Sequence, residues 1–188
     1  MDFLINLWLP ILVSAAAVWF ASAMAWMAVH HHDKDRLPLP NEKQFIDTIK
    51  AMNIPPGNYG FPDFQTCKGK SKEEKKAMYD EMQKHPMGLL NVWGPISMGG
   101  NMLATFAVNI VISVLIAYIG WAALNHTKES MSHVMQVLGT AGILAYCFAS
   151  FPNDIWFQKS RRAMVMNFID GVVYGLITGA IFGWLWPK

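Results

Sequence analysis

Apolar residues in this chain are gathered into four long runs separated by polar stretches, not spread at the spacing of a soluble helical core. The runs are Phe3 to Val29, Met98 to Leu124, Met131 to Phe151 and Met164 to Trp186. Each approaches or exceeds the roughly 20 residues that cross the hydrocarbon of a bilayer as a helix; the third is the shortest. The pattern predicts an all-α integral membrane bundle of four transmembrane helices, with a small helical and extended cytoplasmic segment between the first and second. It divides the chain into a first span (1–30), an arm with two short helices and a Pro/Gly strap (31–96), and the three remaining spans (97–188).

Within the runs, small and polar residues form stripes. Gly171, Gly175, Gly179 and Gly183 recur every four residues and line one helix face, which lets another helix approach closely. That face fits another span of the same chain or a neighbouring subunit. Ala17, Ala21 and Ala25 make a second small-residue stripe in the first span, and we expect it to pack on the glycine face. The second span carries a polar edge, Asn101, Thr105, Asn109 and Ser113, and the third repeats it more weakly with Gln136, Thr140, Cys147 and Ser150. Such groups avoid lipid and hydrogen-bond to neighbouring helices for about 0.6–2 kcal/mol each. A bundle interior is the expected place; a pore lining is the alternative. Asp170 is the one acid well inside a span, and intramembrane acids are functional candidates by default. The sequence offers it Asn101, Thr105, Arg161 or Arg162 as partners, with ion or proton handling as the competing role.

His30, His31 and His32 follow the first span, then Asp33 and Asp35. If the helix continues, His31 and Asp35 share a face. Imidazole and carboxylate together suit a metal, which would make His30, His31, His32 and Asp33 a candidate site. The plainer reading is an interfacial helix end, and a pH-responsive imidazole is a third.

The arm begins at Leu37-Pro38-Leu39-Pro40, which stops a helix. Asn41 with Gln44 reads as a capping box before an apolar stripe of Phe45, Ile46, Ile49 and Met52. Residues 54–63 read as a stiff, extended strap, either a linker or a docking segment. Ser71 with Glu74 is a second capping box opening a charged helix to about Lys84. Residues 88–93 return the chain to the interface with Trp93 as an anchor.

Charge sets the orientation. Ten Lys and Arg lie between Lys34 and Lys84, and Lys159, Arg161 and Arg162 lie between the third and fourth spans. The positive-inside rule places both segments in the cytoplasm of a bacterial inner membrane, with both termini outside. Trp8, Trp121, Trp184 and Trp186 then mark one interface and Trp26, Trp93 and Trp156 the other. Asp2 and the lack of a basic residue before the first run argue against a cleaved signal, despite Ala21-Ser22-Ala23. The formal charge of +2 is too small to suggest nucleic acid. Cys67 and Cys147 have no metal or disulfide spacing and are expected to be free thiols.

No hydrolase, zincin, Walker or dinucleotide motif is present, so no catalytic residue is assigned. Histidines lie only outside the spans or near their ends, which argues against a bis-histidine haem. No cofactor is predicted; bound lipid is expected, and quinone or pigment contacts leave no signature and stay open. H-H-x-D after the first span, L-P-x-P-N-E, P-P-G-x-Y-x-F-P and the terminal F-G-W-L-W-P together resemble a group of small bacterial four-span inner-membrane proteins without an assigned function. The resemblance covers most of the chain and implies a topology, not an activity. The expected function is a non-catalytic accessory subunit of a larger membrane complex, energy-transducing ones included, with other membrane subunits and lipid as partners. The alternatives are a small transporter or channel using Asp170 and the polar edge, and a metal-binding membrane enzyme.

Overall fold

Four helices in the computed structural model are long and apolar enough to cross a membrane: Trp8–Met27, Met98–Ala123, Met131–Trp156 and Arg161–Trp184. Residues 2–63, 67–124 and 128–187 are described. The chain is mostly helical and separates into two units, a bundle (Met1–Leu37 with Ser97–Lys188) and the arm (Pro38–Ile96).

In the bundle, a short α1 (Asp2–Asn6) leads into α2 (Trp8–Met27), and the later spans begin with α5 (Met98–Ala123). The third span starts as α6 (Met131–Ile143), passes through a π-helical turn at Leu144–Phe148 and ends in α7 (Phe151–Trp156). Residues 152–156, expected in the connection after the third span, are therefore helical; Pro152 falls in the first turn, where its missing N–H costs nothing. The last span is α8 (Arg161–Trp184), whose first turn is capped by Ser160 Oγ accepting from the Ala163 N–H.

The glycine face of α8 packs on the third span. A methyl group added at Gly175 would lie 2.5 Å from the Ile143 nitrogen, at Gly179 2.7 Å from the Gly139 Cα, and at Gly183 2.8 Å from the Met131 carbonyl oxygen. This corrects the expected pairing with Ala17, Ala21 and Ala25. Ala25 is buried but Ala17 and Ala21 are only half-buried, and the buried face of α2 also carries Ile11, Ser14, Ala15 and Val18. Backbone-to-backbone approach needs glycine on one side and a small residue opposite, and Gly139 and Gly142 of α6 provide it.

The apolar core lies at one end of the bundle, where Leu7, Ile11, Ile116, Leu138, Phe182 and Trp186 meet from all four spans. Trp186, expected at the interface, is 5% exposed and belongs to this core. Trp19, the mid-span tryptophan, donates its indole N–H to the Met102 carbonyl at 3.0 Å.

The arm holds α3 (Glu42–Ala51), β1 (Gly57–Phe61), α4 (Lys72–Met82) and β2 (Gly88–Val92). The two strands pair antiparallel, Gly57 opposite Val92 and Phe61 opposite Gly88, adding a small sheet to the all-α expectation. Ser71, extended at ψ 167°, forms the full capping box with Glu74. Asn41 forms none: its ψ of 58° does not set the side chain over the first turn.

Candidate functional site

The bundle end remote from the apolar core is closed by polar residues. Helix α2 stops at Met27, earlier than the sequence suggests, because His30 adopts a left-handed conformation (φ 57°). Two tight turns follow, with the Asp33 N–H donating to the His30 carbonyl and the Asp35 N–H to the His32 carbonyl. They bring His31 and His32 to the side of α8. His31 Nε2 is 2.9 Å from Asp170 Oδ1, and His32 Nε2 is 2.8 Å from Asp170 Oδ2. The other His32 nitrogen, Nδ1, is 2.6 Å from Asp35 Oδ2. Arg162 donates to Asp35 Oδ1 at 3.1 Å and to the His31 carbonyl at 3.0 Å. Trp26 stacks flat on the His32 ring, centroids 3.9 Å apart and planes 8° from parallel.

Proton counting defines the electrostatics. His32 lies between two carboxylates, so both of its ring nitrogens are placed to donate, an arrangement that favours the charged ring. Burial is the largest single influence on its pKa and opposes the charge. The hydrogen bonds to Asp35 and Asp170, together with their negative charges, outweigh it and raise the pKa above its ordinary 6.5. His32 and Arg162 then balance Asp35 and Asp170. The His32 side chain is only 4% exposed, so the pairing is tightly shielded. One atom stands outside this scheme: His31 Nδ1 is buried and has no hydrogen-bond partner among the described residues.

The structure joins His31, His32 and Asp170, which the sequence had singled out separately, and leaves His30 and Asp33 aside. Those two face each other at 3.4 Å with side chains 72% and 66% exposed. Asp35 pairs with His32 and not with His31, since the helix that would have aligned it with His31 has already ended. Asp170 meets neither Asn101 nor Thr105, and Arg162 reaches Asp35 instead of Asp170. One signal pointed here: Asp170 and the histidines lie towards the same end of their spans, and no span offers the acid a charged partner.

The polar edge of α5 is split. Asn109 and Ser113 are buried, but Asn101 and Thr105 are exposed, as is Gln136 of α6. The exposed pair lies in the first turns of α5 and the buried pair near its middle, so the edge enters the bundle part-way along the helix. The Thr105 and Thr140 hydroxyls donate to carbonyls four residues back on their own helices, at 2.8 and 2.6 Å, instead of bridging to neighbours. Cys67 and Cys147 are both free and buried. Cys147, in the π-helical turn, packs where Gly171 has no side chain.

No family model, curated protein or solved structure matches this chain.

Proposed function

We propose that the chain is a non-catalytic subunit of a larger assembly in the bacterial inner membrane, presenting its arm to a neighbouring protein. One observation carries this reading: among the described residues of the arm, Cys67 alone is buried. Large apolar side chains are left open, with Met52 at 64% and Leu89 at 60% exposure. Phe45, Ile49, Met52, Ile54, Tyr59 and Phe61 line an open groove of about 470 Å³. A segment this small without a core gains its stability from a surface that covers it. The His31–His32–Asp170 cluster ties the turn after the first span to the last span within the bundle. The distribution of Lys and Arg favours an arm in the cytoplasm and both termini outside. The transporter reading draws less support, because both Asp170 oxygens are engaged by imidazoles and half of the α5 polar edge faces outward.

Mild-detergent extraction through a non-histidine affinity tag, followed by native sizing and mass spectrometry, tests the proposal. The expected result is one defined assembly, larger than the chain, with the same companions in repeated preparations. A chain that runs alone or only with copies of itself removes the subunit reading.

A further inference from the structure

We propose that one nitrogen each of His31 and His32 and one carboxylate oxygen of Asp170 form a binding site for a divalent first-row transition metal of the zinc type. These three ligand atoms lie within 4.8 Å of one another, from a turn and a helix that meet only in the folded bundle. This inference goes beyond the subunit reading and does not depend on it.

The donor set selects the ion. Two imidazole nitrogens and one carboxylate oxygen suit zinc and its neighbours, the ion taking the place of the proton that His32 otherwise directs at Asp170 and releasing it to solvent. Calcium takes six to eight oxygen ligands and magnesium prefers oxygen octahedra, so both are poorly served. Cuprous ion favours thiolate or thioether sulfur, which is not part of the set. Three protein ligands leave a fourth position of a tetrahedral ion for water or a partner's side chain.

The surroundings resemble those that support a metal-binding histidine. Such a ring donates its remote N–H to a carboxylate, which fixes the tautomer and the ring plane. His32 makes this contact: Nε2 faces Asp170 while Nδ1 meets Asp35 at 2.6 Å, and Arg162 holds Asp35 in place. The stacked Trp26 limits rotation of the same ring. The His31 backbone is held by Arg162 through its carbonyl. A second observation is independent of this geometry. His31 Nδ1 is buried and unpaired among the described residues, and an orphaned buried nitrogen is a place where an ion or an ordered water completes the bonding. The ligand–ligand distances of 2.8 and 2.9 Å are hydrogen-bonding ones. They run to different oxygens of Asp170, so an ion about 2.0–2.2 Å from each ligand atom needs the two imidazoles to regroup around one of those oxygens, within a set of atoms that already lies inside 4.8 Å.

The test uses the full chain, purified without a histidine tag, stripped with chelator and titrated with Zn²⁺ and Co²⁺. The expected result is one ion per chain, with X-ray absorption of the wild-type zinc form showing two imidazoles and oxygen in the inner sphere. Asp170→Asn and His32→Gln lose stoichiometric binding, whereas His30→Ala keeps it. Asp35→Asn keeps one ion per chain with about 10- to 100-fold weaker affinity. Absence of stoichiometric uptake by the wild-type chain overturns the proposal, as does an inner sphere without two imidazoles. Loss of binding in His30→Ala with retention in Asp170→Asn overturns it too, by returning the site to the exposed histidine. The wild-type absorption measurement decides the matter even if the Asp170 or His32 variants fail to fold.

Discussion

A carboxylate about two turns inside the last span costs roughly 2.5–3.5 kcal/mol if it enters the membrane unpaired. At Asp170 two imidazole hydrogen bonds meet it, each worth about 1.5–3 kcal/mol for a charged acceptor, so the pairing suffices to hold the acid there. A second carboxylate is used differently in the arm. Glu74 accepts from the Ser71 backbone N–H at 2.8 Å, and this bond, with that of the Ser71 side chain, lowers its pKa below the ordinary 4.5. A depressed folded pKa means that the stabilisation is present above the ordinary value and is lost as pH falls through the lowered one. We expect the first turn of α4 to fray below the ordinary carboxylate range, and Glu74→Gln, which keeps an acceptor but no charge, to show weaker protection at neutral pH and no further loss on acidification. Amide exchange across Lys72–Met82 measures both, and equal protection in wild type and variant at neutral pH would count against the box. Both residues of that box were legible in the sequence because a cap is a local device. The partners of Asp170 were not. They depend on where α2 ends, and neither glycine nor proline marks His30 as the place where the helix breaks.

Among the elements, the α6–α8 contact is the most sensitive to single atoms. Alanine is favoured over glycine inside a helix by about 0.5–1 kcal/mol, but at Gly175 the added methyl meets the Gly142–Ile143 peptide and the Ile143 side chain. Overpacking of this kind costs about 1–3 kcal/mol. Gly175→Ala should therefore lower the unfolding temperature in detergent, while Gly99→Ala, with nothing within 4 Å of the new methyl, should leave it unchanged or slightly raised. Equal behaviour of the two variants would show that the helices do not approach as closely as described. The glycine stripe was readable in the sequence as a close-packing face; its partner was not, because Ala17, Ala21 and Ala25 have the same spacing as a true counterpart and only the fold chooses α6. The strand pair was hidden for another reason. Gly57, Gly60 and Gly88 are poor strand formers, and the whole of α4 separates the two strands.

Across the whole molecule, the spans are held by apolar packing at one end and by an ionic cluster at the other, while the arm has almost no interior of its own. Limited trypsin digestion of the isolated chain should cut first in the lysine-rich stretch around α4, and the same stretch should resist digestion in an assembly that covers it. Equal resistance in both preparations would mean that the arm needs no cover. The ionic cluster also orders events in time. Its two bonds to Asp170 span 138 and 139 positions of chain, so the histidines leave the ribosome long before the acid that they hold. Until translation passes Asp170, the Nε2 atoms of His31 and His32 have no carboxylate to meet, and only the local contact of His32 with Asp35 can form. A truncated product therefore differs from the finished chain in leaving these two ring nitrogens without their carboxylate.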